Sequence, residues 1–147
     1  MIRYIISLIV FLVCVLLAIF TSGGSLWPYL DIPSFIITGI FPFLFISIVF
    51  GFKEMARAFS IAFEKEPEND KLIKALNFFK AYCKTTWLSG LIAVLIGVIA
   101  MMVWLEDRSK LGPNLAVALI SLLYCGIINI VIIIPFTAYI KRHLKKE

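Results

Sequence analysis

The chain has 147 residues, is 62% hydrophobic and only 16% charged, and has a mean hydropathy of +1.03. Soluble domains are about 45–50% apolar, and a soluble fold of this length could not hide the excess, so the composition excludes one and points to an integral membrane protein. The net charge of +5 does not indicate nucleic acid, because the basic residues flank apolar runs instead of forming a phosphate-binding domain.

Four runs are long enough, or nearly so, for the roughly 20 residues that a membrane crossing takes. They are Tyr4–Phe20, Phe35–Phe52, Thr86–Leu105 and Leu115–Tyr139, and none contains Asp, Glu, Lys or Arg. Helices satisfy backbone groups in hydrocarbon. The expected fold is therefore an all-α membrane protein with four transmembrane helices and both termini cytoplasmic. A short cytoplasmic helical hairpin extension (53–84) and a basic tail (140–147) complete one transmembrane domain, 1–147.

The first run follows Arg3 as a signal peptide would. However, "AIFTSGGS" is a poor cleavage site and Cys14 has no lipobox, so the run is expected to remain as a span. Loop charges give the orientation. Arg3, seven basic residues between Lys53 and Lys84, and Lys141, Arg142, Lys145 and Lys146 lie on one side, against Arg108 and Lys110 on the other. Twelve against two places the termini and the middle segment in the cytoplasm. Trp27 and Trp104 then fall near the outer interface, and Tyr82, Trp87 and Tyr139 near the inner one.

The middle segment reads as two short amphipathic helices separated by Pro67. Met55, Phe59, Ala62 and Phe63 share one face, and Leu72, Ile73, Leu76 and Phe79 share another. Asn69 or Asp70 could cap the second. These helices could extend the second and third spans as a hairpin, or present a surface to a partner.

Candidate chemistry is sparse. The one histidine, His143, sits in the basic tail, where a solvated position beside lipid headgroups is expected. Cys14, Cys83 and Cys125 are scattered with no CxxC, which makes neither a disulfide pair nor a metal site. No nucleophile has a base at motif spacing, so no enzyme, metal or cofactor is expected. No span carries an ionisable carrier of its own, so a self-sufficient proton exchanger is excluded.

The third and fourth spans hold the remaining signal. Ser89, Ala93, Gly97 and Ala100 recur at helical spacing in the third, and Ala118, Ser121, Cys125 and Asn129 in the fourth. Small residues let membrane helices approach closely, and Ser and Asn can hydrogen-bond across the gap. The stripes support tight packing and a pore-lining face about equally. Asn129 must find a partner, since an unpaired amide in lipid is costly. Pro135 removes a backbone hydrogen bond and is expected to bend the fourth helix.

Three stretches carry a family resemblance. In "GGSLWPYLDIPSFII" (Gly23–Ile37) a Gly-Gly-x-Leu stretch precedes an interfacial loop and a Pro-Ser helix start. In "GFKEMARAFSIAFEK" (Gly51–Lys65) a basic residue, an acidic one and an Ala-Phe pair follow the second span. From Gly90 to Phe136 come Gly97, Leu-Gly-Pro before the fourth span, Ala-Val-Ala-Leu, Tyr124 and Pro135. In order and spacing the chain resembles the flagellar stator A subunit, the four-span branch of the MotA/TolQ/ExbB ion-channel superfamily. The segment 53–84 stands where flagellar members carry a much larger cytoplasmic domain.

The resemblance implies a multi-pass protein of the bacterial inner membrane that forms a homopentamer around a single-span MotB- or ExbD-like partner. The partner's aspartate would carry a proton or sodium ion. Ser89, Ala93, Gly97, Ala100, Ala118, Ser121, Leu122, Cys125 and Asn129 would face the pore or partner. Val94 and Leu122 stand where family members place hydroxyl residues, and Ile130 aligns with the family's usual asparagine. Thr38, Gly39 and Pro42 occupy the region of a Gly-Gly pair in the second span.

Overall fold

The computed structural model of the chain describes residues 2–21, 23–61, 64 and 67–144, without the side chains of Ile2, Arg3 and Ile5. Ala62 and Phe63 of the first amphipathic face, Lys65, and Lys145 and Lys146 of the tail lie outside the described residues. The described residues are helices and connections, with no strand among them. The chain divides into two units, Met1–Asp31 and Ile32–Glu147.

The first unit is one helix and its exit. Helix α1 spans Ile2–Thr21. It closes with the Gly23 N–H bonded to the Phe20 carbonyl and the Gly24 N–H to that of Ile19, the nested pattern of a Schellman cap. Gly23 takes φ +75°, where glycine has no Cβ to clash. A single 3₁₀ turn, Trp27–Tyr29, follows with Pro28 inside it and Trp27 exposed.

Among the described residues the second unit contains four main helices: α2 (residues 32–50), α3 (Phe52–Ser60), α4 (Asn69–Val103) and α5 (Arg108–Leu144). Trp27–Phe50, Asn69–Val103 and Arg108–Leu144 are long and apolar enough to cross a membrane, and Ile6–Thr21 is a shorter apolar helix. Helix α4, at 35 residues, measures about 52 Å against the roughly 30 Å of a hydrocarbon core. About two-fifths of its length exceeds the thickness of such a core.

Several sequence-based boundaries move. The expected amphipathic helix after Pro67 and the third span are one uninterrupted α4, because no proline falls between residues 69 and 103. Its N-cap position is Glu68, in extended conformation and without a side-chain cap bond, so neither Asn69 nor Asp70 occupies it. The second span does not run straight on into the middle segment. Gly51, at φ +87° and ψ 140°, breaks the chain between α2 and α3 in a region essentially reserved for glycine. The fourth helix starts at Arg108 instead of Leu115. Asp107 caps it by accepting from the Ser109 backbone N–H, and Pro113 is tolerated inside it near its start. The basic residues Lys141 and Arg142 are its last turn instead of a separate tail.

Both proline-bearing spans contain a turn of π-helix. In α2 it covers Ile36–Ile40, ahead of Pro42. In α5 it covers Asn129–Ile133, ahead of Pro135. A proline ring crowds the carbonyl four residues back; here those residues are Thr38 and Val131, and both lie within the widened turn. Each π turn also holds a polar side chain that donates to a carbonyl four residues back. Thr38 bonds Ser34 O at 2.7 Å and Asn129 bonds Cys125 O at 2.8 Å.

The hydrophobic core lies where α3 meets α2, α4 and the end of α5. Ala58, Ile61, Leu72, Ala75, Phe78, Phe79, Tyr82, Ile133 and Ile140 are buried there. Phe59 meets Phe78, Phe79 and Phe136 edge-on, with ring centroids 5.2–6.1 Å apart. Phe79 stacks on Phe136 at 5.0 Å. Such pairs contribute about 0.5–1.5 kcal/mol beyond area burial.

Candidate functional site

The two small-residue stripes meet each other. Along α4, Thr86, Ser89, Gly90, Ala93 and Gly97 are buried; along α5, Ala118, Ser121, Cys125 and Asn129 are. A Cβ added to Gly97 would lie 2.8 Å from Ala118 Cβ and 3.2 Å from the Asn114 carbonyl oxygen. One added to Gly90 would run into Cys125 Sγ. The helices approach this closely because these positions lack bulk, so backbone and short side chains supply the contact.

Polar atoms in the seam are paired within the chain. The Cys125 thiol donates to Thr86 O at 3.2 Å. Asn129 donates to Cys125 O and lies with its Oδ1 3.0 Å from the Cys83 thiol of α4. On the α2 side, Ser121 Oγ is 3.0 Å from both Ser34 Oγ and Val117 O, and the Ser34 hydroxyl reaches Val117 O at 3.3 Å. Among the described residues no buried side-chain nitrogen or oxygen lacks a hydrogen-bond partner. Ser34, Thr38, Cys83 and Thr86 belong to this set, though the sequence reading did not place them among the pore- or partner-facing residues. Thr86 continues the α4 stripe one turn beyond Ser89, a spacing that could have found it.

Of the nine residues expected to face a pore or partner, Ser89, Ala93, Gly97, Ala118, Ser121, Cys125 and Asn129 are buried in the chain by itself. Ala100 is half-buried and Leu122 is exposed. The surface beside the seam is apolar. Leu122, whose Cδ2 lies 3.9 Å from a Cβ built on Gly90, joins half-buried Val94 at the α4 edge, and Leu115, Leu119, Ile130 and Ile134 continue it along α5 as exposed residues.

The opposite, α3-bearing end has a charged groove of about 410 Å³. Glu54, Arg57, Glu64, Glu68, Asp70, Lys71 and Lys74 line it over an Ala58, Ile61 and Ala75 floor. Arg57–Glu54 (2.7 Å) and Lys71–Glu68 (3.9 Å) are exposed ion pairs within it, each worth about 0–1 kcal/mol. Nearby, Tyr139 donates to Glu64 O at 3.4 Å. His143 is half-buried against the Tyr139 ring, centroids 4.1 Å apart, instead of lying free in solvent.

At the other end the 104–107 turn is stitched locally. The Ser109 hydroxyl and backbone N–H both donate to Asp107. Lys110 pairs with Asp107 at 3.4 Å while its Nζ lies 3.4 Å from the centre of the Trp104 ring. The Ser109 hydroxyl, more than the backbone N–H or Lys110, holds the Asp107 carboxyl below its usual value.

Comparison with known proteins bears on the same helices. The family model of the MotA/TolQ/ExbB proton channel family matches residues 53–147, which include α3, α4 and α5. Among curated proteins, a Motility protein A of Treponema phagedenis is 35% identical over 60 residues, 41% of this chain and 23% of the relative. The Motility protein A of Aquifex aeolicus is 45% identical over 53 residues, 36% of this chain and 21% of the relative. That of Borreliella burgdorferi is 44% identical over 48 residues, 33% and 18%. The aligned stretches take in about a fifth of each relative's length.

Proposed function

This chain belongs to the MotA/TolQ/ExbB proton channel family and is a multi-pass membrane protein; from that premise we propose that it is the A-type subunit of an ion-driven membrane motor or channel. It crosses the bacterial inner membrane four times with both termini and the segment 53–84 in the cytoplasm. It assembles as a homopentamer around a single-span partner whose aspartate carries a proton or a sodium ion. The observation that carries this reading is the family match across α3, α4 and α5.

Two features of the chain support it. Its apolar spans contain no Asp, Glu, Lys or Arg, so any carried ion needs a carboxylate from another chain. The α4–α5 pair is closely packed with its polar groups satisfied internally, and it leaves Leu115, Leu119 and Leu122 exposed, with Val94 half-buried on α4. In this reading the small-residue stripes act at one remove. They hold the wall together, while the Val94–Leu122 edge meets the partner helix. Chemistry at that edge then decides conduction, because an apolar constriction excludes water and ions.

The test is to reconstitute the chain with a MotB- or ExbD-like single-span protein from the same organism and measure proton and sodium flux into liposomes. Flux that disappears when the partner's membrane aspartate becomes asparagine supports the proposal. Leu122→Thr, which places a hydroxyl where the family resemblance expects one, is expected to raise flux several-fold. The apolar Val94 and Leu122 also favour a second reading, a non-conducting scaffold subunit. A verified complex with zero flux, unchanged by Leu122→Thr, would establish that reading in place of the first.

A further inference from the structure

Helix α4 keeps one exposed face along its whole length, and the chemistry of that face changes in a fixed order. Lys80 and Lys84 come first, then Trp87, then Leu91 and Leu95, all exposed and spaced three or four residues apart. At 100° per residue these positions fall within a narrow stripe, directly opposite the buried face of Phe79, Tyr82, Thr86 and Ala93. Lys84 lies about 4.5 Å along the axis from Trp87, and Lys80 about 10 Å.

The charge on this stripe is not neutralised by the protein. Among the described residues neither lysine has an ion-pair partner. No Asp or Glu occurs in α4 after Asp70, which lies about 15 Å along the axis from Lys80. At the α3-bearing tip, by contrast, Lys71 is paired with Glu68, and Lys74 shares the charged groove with Glu54, Glu64 and Asp70. Lys80 and Lys84 thus carry positive charge that no described carboxylate pairs with, one to two turns from Trp87, the tryptophan expected near the inner interface.

We propose that the Lys80–Lys84–Trp87 face of α4 is a binding surface for anionic phospholipid in the adjoining leaflet. The Lys84 and Lys80 ammonium groups hold headgroup phosphates, the indole of Trp87 sits at the interface, and the acyl chains lie along Leu91 and Leu95. Each component matches the depth at which its group is favoured: ammonium with phosphate, indole at the headgroup boundary, leucine in hydrocarbon. A lysine near an anionic leaflet gains enough from the surface potential to discriminate lipids by charge. The proposal requires that α4 crosses a membrane and that this face stays clear of the partner helix and of neighbouring copies of the chain; it does not depend on ion conduction.

The experiment uses the full chain with Trp27→Phe and Trp104→Phe, so that Trp87 alone fluoresces. The protein is placed in bilayers containing either brominated phosphatidylglycerol or brominated phosphatidylcholine, and quenching reports which lipid occupies the face. A preference for the anionic lipid of about ten-fold is expected at low salt, on the scale of two lysines at a charged surface, weakening as salt screens it. Lys80→Gln with Lys84→Gln should bring the ratio close to one. Lys80→Arg with Lys84→Arg, and Lys71→Gln with Lys74→Gln at the tip, should leave it intact and show that folding is preserved. Equal quenching in the parent protein, or a preference that survives the Lys80/Lys84 glutamine pair, overturns the proposal. So does the absence of quenching by both lipids, which would mean that protein covers the face.

Discussion

Helix α4 passes through two contacts built on different physics. Around Phe78 and Phe79 it is held by large rings from α2, α3 and α5; around Gly90 and Gly97 it is held by the near absence of side chains. The first region lies on α4 ahead of its apolar run, where apolar area can be removed from water and that removal drives packing. The second lies among residues destined for lipid, where the surroundings are as apolar as the side chains and burial gains little. There, contact must come from close approach and from hydrogen bonds such as that of Cys125 to Thr86. The contrast explains why one helix carries two vocabularies, aromatic and small, with the change occurring near Trp87.

If that contrast is real, the two regions must fail differently. Phe79→Ala deletes a fully buried ring that stacks on Phe136 and meets Phe59 and Phe78. A loss of about 3–5 kcal/mol is expected, as for other buried aromatic truncations. Thermal unfolding in detergent measures it, and proteolysis near 61–68 should rise in parallel, because the Glu64 connection is tied to this end through Tyr139. A Phe79→Ala protein as stable as the parent would remove the aromatic half of the comparison.

In the seam the damaging change is addition. Gly97→Ala puts a methyl 2.8 Å from Ala118 Cβ and 3.2 Å from the Asn114 carbonyl. Neither neighbour is the tip of a flexible chain, so the helices must move apart, at about 1–3 kcal/mol. Ala118→Gly in the same protein should restore part of the loss, since it removes the nearer contact and leaves the carbonyl. Gly112→Ala, with nothing within 4 Å of its added Cβ, serves as the control and is expected to be neutral or stabilising. Additive losses in the Gly97/Ala118 pair would show that the seam is looser than the geometry indicates.

The sequence made some of this legible and hid the rest for physical reasons. Apolar run length is sufficient to recognise a helix, and the burial of Ser89, Ala93, Gly97, Ala118, Ser121, Cys125 and Asn129 follows from their stripes. The destination of those stripes was not legible, because periodicity gives a face but not what covers it. The continuity of α4 was one of two readings the sequence left open: Lys80 and Lys84 precede the apolar run, and backbone hydrogen bonds continue through them regardless of side-chain polarity. The start of α5 was hidden by Pro113, which reads as a breaker, while the Asp107–Ser109 cap that begins the helix is a three-residue signal. The π turns before Pro42 and Pro135 leave no pattern of their own in the sequence.

A smaller effect sharpens the polar side of the seam. Asn129→Leu removes the bonds to Cys125 O and Cys83 at nearly constant volume. The Cys125 carbonyl still accepts the Asn129 backbone N–H, and only a weak thiol donor loses its acceptor. Hydrogen bonds between membrane helices average about 0.6 kcal/mol, so a loss near that size is expected in the same unfolding assay. A loss several times larger would mean that Asn129 does more than pack, in line with a polar role beside an ion path.

The smallest expected effect lies at the 104–107 turn and reads as a pH dependence. Hydrogen bonding holds the Asp107 carboxyl below its usual value in the folded chain, so the ionised form is the one the fold favours. Its contribution is therefore complete above the ordinary aspartate range near pH 4 and is lost as pH falls through the lower folded value. With Trp27 and Trp87 replaced by Phe, Trp104 fluorescence should report the change, because Lys110 bridges its ring to Asp107. Asp107→Asn keeps a capping oxygen but cannot titrate. Its fluorescence should stay flat over the acid range in which the parent changes, and a transition shared by both would assign the acid response to another group.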